Sequence, residues 1–165
     1  MPASSLPGLS QEDILRWLRE DDAERLEDLW RWADATRRRF VGDVVHLRGL
    51  IEISNYCSRE CAYCGLRAGN RDLERYRMTE DEIMECVRQA VRFRYGTVVL
   101  QSGEDYEIER DWLCSVIRRI KRDTRLAVTL SLGERPDDDL LAWREAGADR
   151  YLLRFETSDH ELYRL

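Results

Sequence analysis

Residues 97–132 read TVVLQSGEDYEIERDWLCSVIRRIKRDTRLAVTLSL, and that stretch predicts a strand, a helix and a second strand. Thr97 to Gln101 is a short aliphatic run that ends in polar residues. Leu113, Val116, Ile117 and Ile120 then recur at the three- and four-residue spacing of a one-faced helix. Leu126 to Leu132 comes next, with Val128 and Leu130 as its apolar centre. Two strands joined through a crossover helix run parallel, because a tight turn cannot return the chain in the same direction.

The same unit extends both ways. Upstream, Thr79 and Glu82 have capping-box spacing at the head of a helix whose Ile83, Val87, Ala90 and Val91 share a face. Gly96 is the residue expected to end that helix in the left-handed conformation. Leu50, Ile51 and Ile53 form an earlier strand. Downstream, Asp137 to Ala146 is a helix stopped by Gly147, and Arg150 to Phe155 is a fourth strand whose Tyr151, Leu152 and Leu153 are expected to be buried. Strands alternating with helices predict an α/β fold with a parallel sheet, either doubly wound or a barrel of the TIM kind, and periodicity leaves both open. Before the first strand, Ser10 caps a helix carrying Ile14, Leu15 and Leu18. Asp21 or Asp22 starts a second, on which Leu26, Leu29, Trp30 and Ala33 form an apolar stripe. The expected organisation is therefore a helical extension over 1–47 and an α/β domain over 48–165.

Composition narrows the function. Of 165 residues, 43% are hydrophobic and 36% charged, a globular balance. No apolar run approaches the roughly 20 residues that span a bilayer, so no membrane partner is expected. The net charge of −6 lacks the basic excess of a phosphate-tracking surface, so no nucleic acid is expected either. Arg37, Arg38 and Arg39 close an acidic helix, where cations meet the negative end of the macrodipole. Met1 to Ser10 has neither a basic nor an apolar signal region, which makes the cytoplasm the expected compartment. There the odd count of five cysteines speaks for metal binding or burial and not for disulfides.

Both candidate folds gather functional groups at the carboxyl ends of their strands. Those ends carry Ser54 and Asn55, then Gln101, Ser102, Gly103 and Glu104, then Ser131, Gly133 and Glu134, then Arg154 and Glu156. The first end runs into Cys57-Ser58-Arg59-Glu60-Cys61-Ala62-Tyr63-Cys64, a C-x3-C-x2-C loop. Three thiolates on a 4Fe-4S cube leave one iron open for a ligand, whereas an electron-transfer cluster normally takes a fourth cysteine. Structural zinc also wants four ligands, and no histidine or fourth cysteine stands nearby at suitable spacing. Cys86 and Cys114 fall on apolar helix faces and read as core or boundary residues. His46 and His160 are isolated in sequence.

The C-x3-C-x-aromatic-C arrangement after a first strand resembles the radical-SAM superfamily. Cys64-Gly65-Leu66-Arg67, Arg75-Tyr76-Arg77-Met78-Thr79, Gln101 to Asp105, Thr129 to Glu134 and Ala146 to Arg154 narrow the likeness to the HydE-type maturases of FeFe-hydrogenase. That resemblance implies a partial TIM-type barrel of about four βα units, with a 4Fe-4S cluster on Cys57, Cys61 and Cys64 and S-adenosyl-L-methionine as cofactor. It also implies reductive cleavage of that cofactor to a 5′-deoxyadenosyl radical. Tyr63 is then expected near the adenine, and Ser102, Gly103 and Glu104 around the methionyl amino group, where a carboxylate holds an ammonium by a charge-assisted hydrogen bond. Arg154 and Glu156, taken as pointing to one side, are expected at the cofactor's carboxylate and ribose, with Ser131 and Glu134 as further contacts. Phe155 stands where the resemblance would put a histidine. The implied partners are a small-molecule or small iron-complex substrate and an external one-electron donor such as a ferredoxin or flavodoxin. No protein side chain is singled out as a catalytic residue. Enzymes of the methylornithine-synthase or biotin-synthase kind, and a non-catalytic metal-binding module, stand as the alternatives.

A closed barrel takes eight strands, and the series of units ends after the fourth, so the expectation is the N-terminal half of a longer enzyme. The 165-residue chain alone should bind iron and sulfide, measured by metal analysis, yet show no sustained substrate conversion. Steady turnover by that chain would contradict the expectation.

Overall fold

The computed structural model describes residues 10–164 and divides the chain into two compact units, Met1–Val45 and His46–Leu165. In the first, α1 (Gln11–Leu18) and α2 (Ala23–Val41) are each set by a local cap. The Ser10 hydroxyl accepts from the Asp13 amide while the Asp13 carboxylate accepts from the Ser10 amide, a reciprocal capping box. Asp22 caps α2 through the Arg25 amide. The two helices meet where Trp17 and Trp32 pack edge to face, centroids 5.9 Å apart. That contact lies off the expected stripe, of which Leu26 and Leu29 are half-buried and Trp30 and Ala33 exposed. At the α2 terminus Arg37 donates to the Gly42 carbonyl and pairs with Asp34 and Asp43, so the basic run is a solvated helix end.

The second unit is a four-stranded parallel sheet in the order β1 (Arg48–Ser54), β2 (Thr97–Ser102), β3 (Ala127–Ser131), β4 (Arg150–Tyr151). Three helices connect the strands: α3 (Glu80–Arg92), α4 (Arg110–Asp123) and α5 (Asp137–Ala146). One sheet face is apolar at every second residue. Ile51, Ile53, Val98, Leu100, Val128 and Leu130 are buried there, each stabilising the fold by roughly 1.5–3 kcal/mol relative to exposure. They form one core with Ile83 and Val87 of α3, Leu113, Val116, Ile117 and Ile120 of α4, and Trp143 of α5. Cys114 is buried in this core and Cys86 packs against it, as their helix faces predicted. The alternate residues Leu50, Glu52, Val99, Gln101 and Thr129 belong to the opposite face.

Two local expectations are corrected. The helix α3 ends at Arg92, and the left-handed residue is Arg94 (φ 59°), not Gly96. The Arg94 amide donates to the Val91 carbonyl and the Tyr95 amide to the Ala90 carbonyl, a Schellman closure built without glycine. The fourth strand is also shorter than expected, covering only Arg150 and Tyr151. Leu152 and Leu153 are 43% and 60% exposed. Among the described residues β4 is one of the two sheet edges, and no further strand flanks it on its outer side. Of the three residues expected to be buried, Tyr151 is the half-buried one, stacked on Trp143 with rings 6° from parallel.

Because an L-residue in the left-handed region costs about 1–2 kcal/mol, Arg94→Gly should raise the unfolding free energy by up to about 1 kcal/mol. The denaturation midpoint checks this.

Candidate metal and cofactor site

The chain between β1 and α3 has almost no regular structure, so its polar groups must be satisfied otherwise. Two arginines and an asparagine do much of this. Buried Asn55 donates to the Glu74 carbonyl (2.8 Å) and accepts from the Tyr76 amide (2.7 Å), tying together the two ends of the loop. The Arg75 guanidinium sits inside that loop and donates to the carbonyls of Asn55, Leu66, Arg67 and Asn70. Arg77 forms a two-pronged pair with Asp105, at 2.7 and 2.9 Å, and lies 3.8 Å over the Tyr56 ring. The Ser54 hydroxyl donates to the same Asp105 carboxylate (2.6 Å) and accepts from the Tyr56 amide. The segment entering Cys57 is thereby fastened to the loop after β2.

The strand ends bring the expected residues to one rim. Gly103 lies against the cysteine loop so closely that a β-carbon there would stand 2.3 Å from the Tyr56 carbonyl oxygen and 2.6 Å from Cys57 Cβ. Only glycine permits that approach. It lets the Glu104 amide donate to Cys57 Sγ (3.3 Å), and the Ser58 amide donates to the Glu104 carbonyl (3.0 Å). The Arg59 amide also reaches Cys57 Sγ, at 3.5 Å. Cys57 and Cys64 are half-buried and Cys61 is exposed. Among the described residues no three His, Cys, Asp or Glu side chains are grouped around a point where a single ion could sit.

The Glu104 carboxylate, 7% exposed, accepts from Arg59 Nε and Nη2 and from the Glu134 amide at 2.8 Å. Burial pushes this carboxyl up, but the Arg59 and Glu134 hydrogen bonds outweigh burial and hold it below the usual carboxylate range. Gly133, at φ 75°, sits under the same side chain, and a β-carbon there would stand 2.8 Å from Glu104 Cγ. Arg59 Nη2 reaches on to Glu134 Oε2 at 2.9 Å. Ser102 turns its hydroxyl to the Gly103 carbonyl, and Ser131 is buried beside Gln101 in register.

The segment after β4 joins the rim by side chains. Arg154 Nη2 lies 3.5 Å from Gln101 Oε1, and Gln101 Nε2 donates to Glu52 (3.2 Å). The neighbouring Glu156 carboxylate pushes the pKa of the exposed Tyr63 hydroxyl up to about 12. The expectation that Arg154 and Glu156 point to one side by strand alternation is corrected: β4 has ended, and Glu156 is left-handed (φ 61°).

Arg59, Arg75, Arg77 and Asp105 stand inside the sequence motifs, yet the sequence alone assigns them no role. Their partners lie up to 75 residues away, and spacing along the chain carries no sign of them. The one available signal is an arginine placed between cysteines, opposite strand ends rich in glutamate.

Comparison with known proteins identifies the family and the fold. The family model described as the Radical SAM superfamily matches residues 51–165. The HydE subunit of the [FeFe] hydrogenase maturase from Thermotoga maritima is 52% identical over 138 residues, covering 84% of this chain and 39% of that protein. The 3-methylornithine synthase of Methanosarcina acetivorans is 32% identical over 157 residues, 94% of this chain and 45% of that one. A crystal structure of methylornithine synthase superposes with a TM-score of 0.79 at 30% identity, over 94% of this chain and 47% of that chain. The chain thus spans less than half the length of these relatives. Its fold is a partial TIM-type barrel, with four parallel strands and three connecting helices among the described residues.

Two outcomes test the site. Gly103→Ala should leave the core folded but displace the cysteine loop, lowering iron bound after anaerobic reconstitution. Asp105 is also held below the usual carboxylate range, its own burial being outweighed by Arg77 and Ser54. A depressed folded pKa stabilises above the unfolded value, and that stability is lost as pH falls from about 4 through the folded value. Asp105→Asn should therefore cost about 1–3 kcal/mol near neutrality and flatten the acid limb of an unfolding free-energy profile.

Proposed function

The chain belongs to the radical SAM superfamily, and on that premise we propose that it holds a 4Fe-4S cluster on Cys57, Cys61 and Cys64 and binds S-adenosylmethionine along the rim formed by Tyr63, Ser102, Gly103, Glu104, Ser131, Glu134, Arg154 and Glu156. The observation that carries the proposal is the docking of the three-cysteine loop on the Gly103–Glu104 turn. Backbone amides already aim at Cys57 Sγ, and such donors stabilise a thiolate and tune a cluster bound to it. The donor set fits: three soft thiols lie on one loop, at different exposures and not converging on one point. When bound, cluster and cofactor together supply one-electron reductive cleavage of a carbon–sulfur bond.

The chain's own residues bind and orient. Glu104 presents a carboxylate kept ionised by its surroundings, suited to a ligand ammonium. Arg154 offers a guanidinium for a carboxylate, and Glu156 with Tyr63 offers acceptor and donor for ribose hydroxyls. Leu50, Val99 and Thr129 on the sheet face away from the helices would shape the space beneath the rim. The 52% identity with the HydE protein, against 32% with methylornithine synthase, supports a role in assembling the FeFe-hydrogenase active site. Its substrate would be a small iron complex and its electron donor a ferredoxin or flavodoxin. Among the described residues no helix is long and apolar enough to cross a membrane.

Anaerobic reconstitution followed by electron paramagnetic resonance tests this reading. The reduced protein should give a 4Fe-4S signal that changes when S-adenosylmethionine is added. Cys57→Ala, Cys61→Ala and Cys64→Ala should each lose the signal, while Cys86→Ser and Cys114→Ser keep it. Stoichiometric zinc without iron, or a cluster indifferent to the cofactor, would overturn the proposal.

A further inference from the structure

Glu104 and Arg59 make an unequal pair. The carboxylate is 7% exposed and its Oε1 is fixed by the Glu134 amide, so it cannot follow its partner. The guanidinium is 49% exposed, at the end of a side chain in the middle of the cysteine loop. Arg59 also has a second place to go. Its Nη2 already touches Glu134 Oε2 at 2.9 Å, and the Glu134 side chain is 64% exposed. A short rotation would exchange the buried carboxylate for the exposed one without stranding the cation.

We propose that Arg59 is a displaceable counter-ion: it occupies the Glu104 carboxylate until a ligand ammonium arrives, then withdraws to Glu134 and leaves Glu104 in place to receive that ammonium. This rests on the reading of Glu104 as the ammonium site. A buried carboxylate without a cation is costly and tends to rotate away. Arg59 removes that cost in the free protein and keeps the acceptor oriented. The ligand must displace Arg59, and Glu134 offsets the displacement because it gains the whole guanidinium only when Glu104 gives it up. Glu134, placed on the rim above, therefore assists binding through Arg59 as a positioning residue and not through a contact of its own with the ligand.

The test is equilibrium binding of S-adenosylmethionine to the reconstituted protein with its cluster oxidised, read by calorimetry and without turnover. Glu134→Gln should weaken binding roughly five- to tenfold. Arg59→Gln should tighten binding, because nothing remains to be displaced. Adding Glu134→Gln to Arg59→Gln should then change nothing further. Additive effects would overturn the proposal and place Glu134 in direct contact with the ligand. Weaker binding by Arg59→Gln at full iron content would overturn it as well. Arg59→Lys covers the case in which Arg59→Gln fails to hold iron. Its single ammonium cannot span both carboxylates, so the effect of Glu134→Gln should shrink in that background; an undiminished effect counts against the proposal. No binding by the unaltered protein would sink the ammonium site itself, whereas normal binding without coupling sinks only the role of Arg59.

Discussion

The site depends on one close approach, that of the Gly103 backbone to Tyr56 and Cys57. No side chain fits between the turn after β2 and the loop after β1. Because it does not, the Glu104 amide reaches Cys57 Sγ and the Ser58 amide reaches the Glu104 carbonyl. The parallel register sets the height at which this happens. Ser54 pairs with Ser102 across a break in the ladder after Glu52, so the ends of β1 and β2 arrive level. Gln101 pairs with Ser131, which brings the Gly133–Glu134 turn under the Glu104 side chain. A sheet built by alternating burial on one face thus delivers polar turns to one end in a fixed order.

Beyond the sheet, guanidinium groups replace regular structure. A loop with neither helix nor ladder leaves carbonyls that need donors, and one arginine supplies several in a fixed plane. Arg75 takes four carbonyls spread from Asn55 to Asn70, which closes the cysteine loop around its own cation. Arg77 does the same for a carboxylate, with the Tyr56 ring as a cover. The arrangement orders the loop by protein contacts alone, so the three cysteines of the proposed cluster site already stand on a shaped segment.

Much of this architecture is legible in the sequence, and the division between legible and hidden depends on range. The caps at Ser10, Asp22 and Thr79, the helix faces of α3 and α4, and the α5 stop at Gly147 (φ 114°) all depend on neighbours a turn away, which a linear reading captures. The strand ends and the cysteine loop are legible because connectivity alone sends parallel strand termini to one side. Misreadings arise where the neighbour is distant or absent. Leu152 and Leu153 have the composition of a buried strand but no further strand beside them among the described residues. Arg94 adopts a glycine-like conformation because the Ala90 and Val91 carbonyls reward it. Arg59 is invisible in the sequence as a functional residue because both of its partners come from later strand ends.

Glu104 and Asp105 show how adjacent carboxylates acquire different duties. Both are buried, and both are held below the usual carboxylate range against the effect of burial. Asp105 is surrounded by partners that belong to the framework: Arg77 beneath the tyrosine ring, the Ser54 hydroxyl and the Glu107 amide. Replacing any of them means opening the loop. Glu104 has one framework partner, the Glu134 amide, and one cation that solvent reaches on its other side. Low exposure and a depressed pKa are therefore poor guides to function when taken alone, since both residues share them. On the proposed reading, what separates a ligand-binding carboxylate from a structural one is whether its counter-charge can leave without opening the loop: Arg59 beside Glu104 is half-exposed, whereas Arg77 beside Asp105 is covered by the Tyr56 ring.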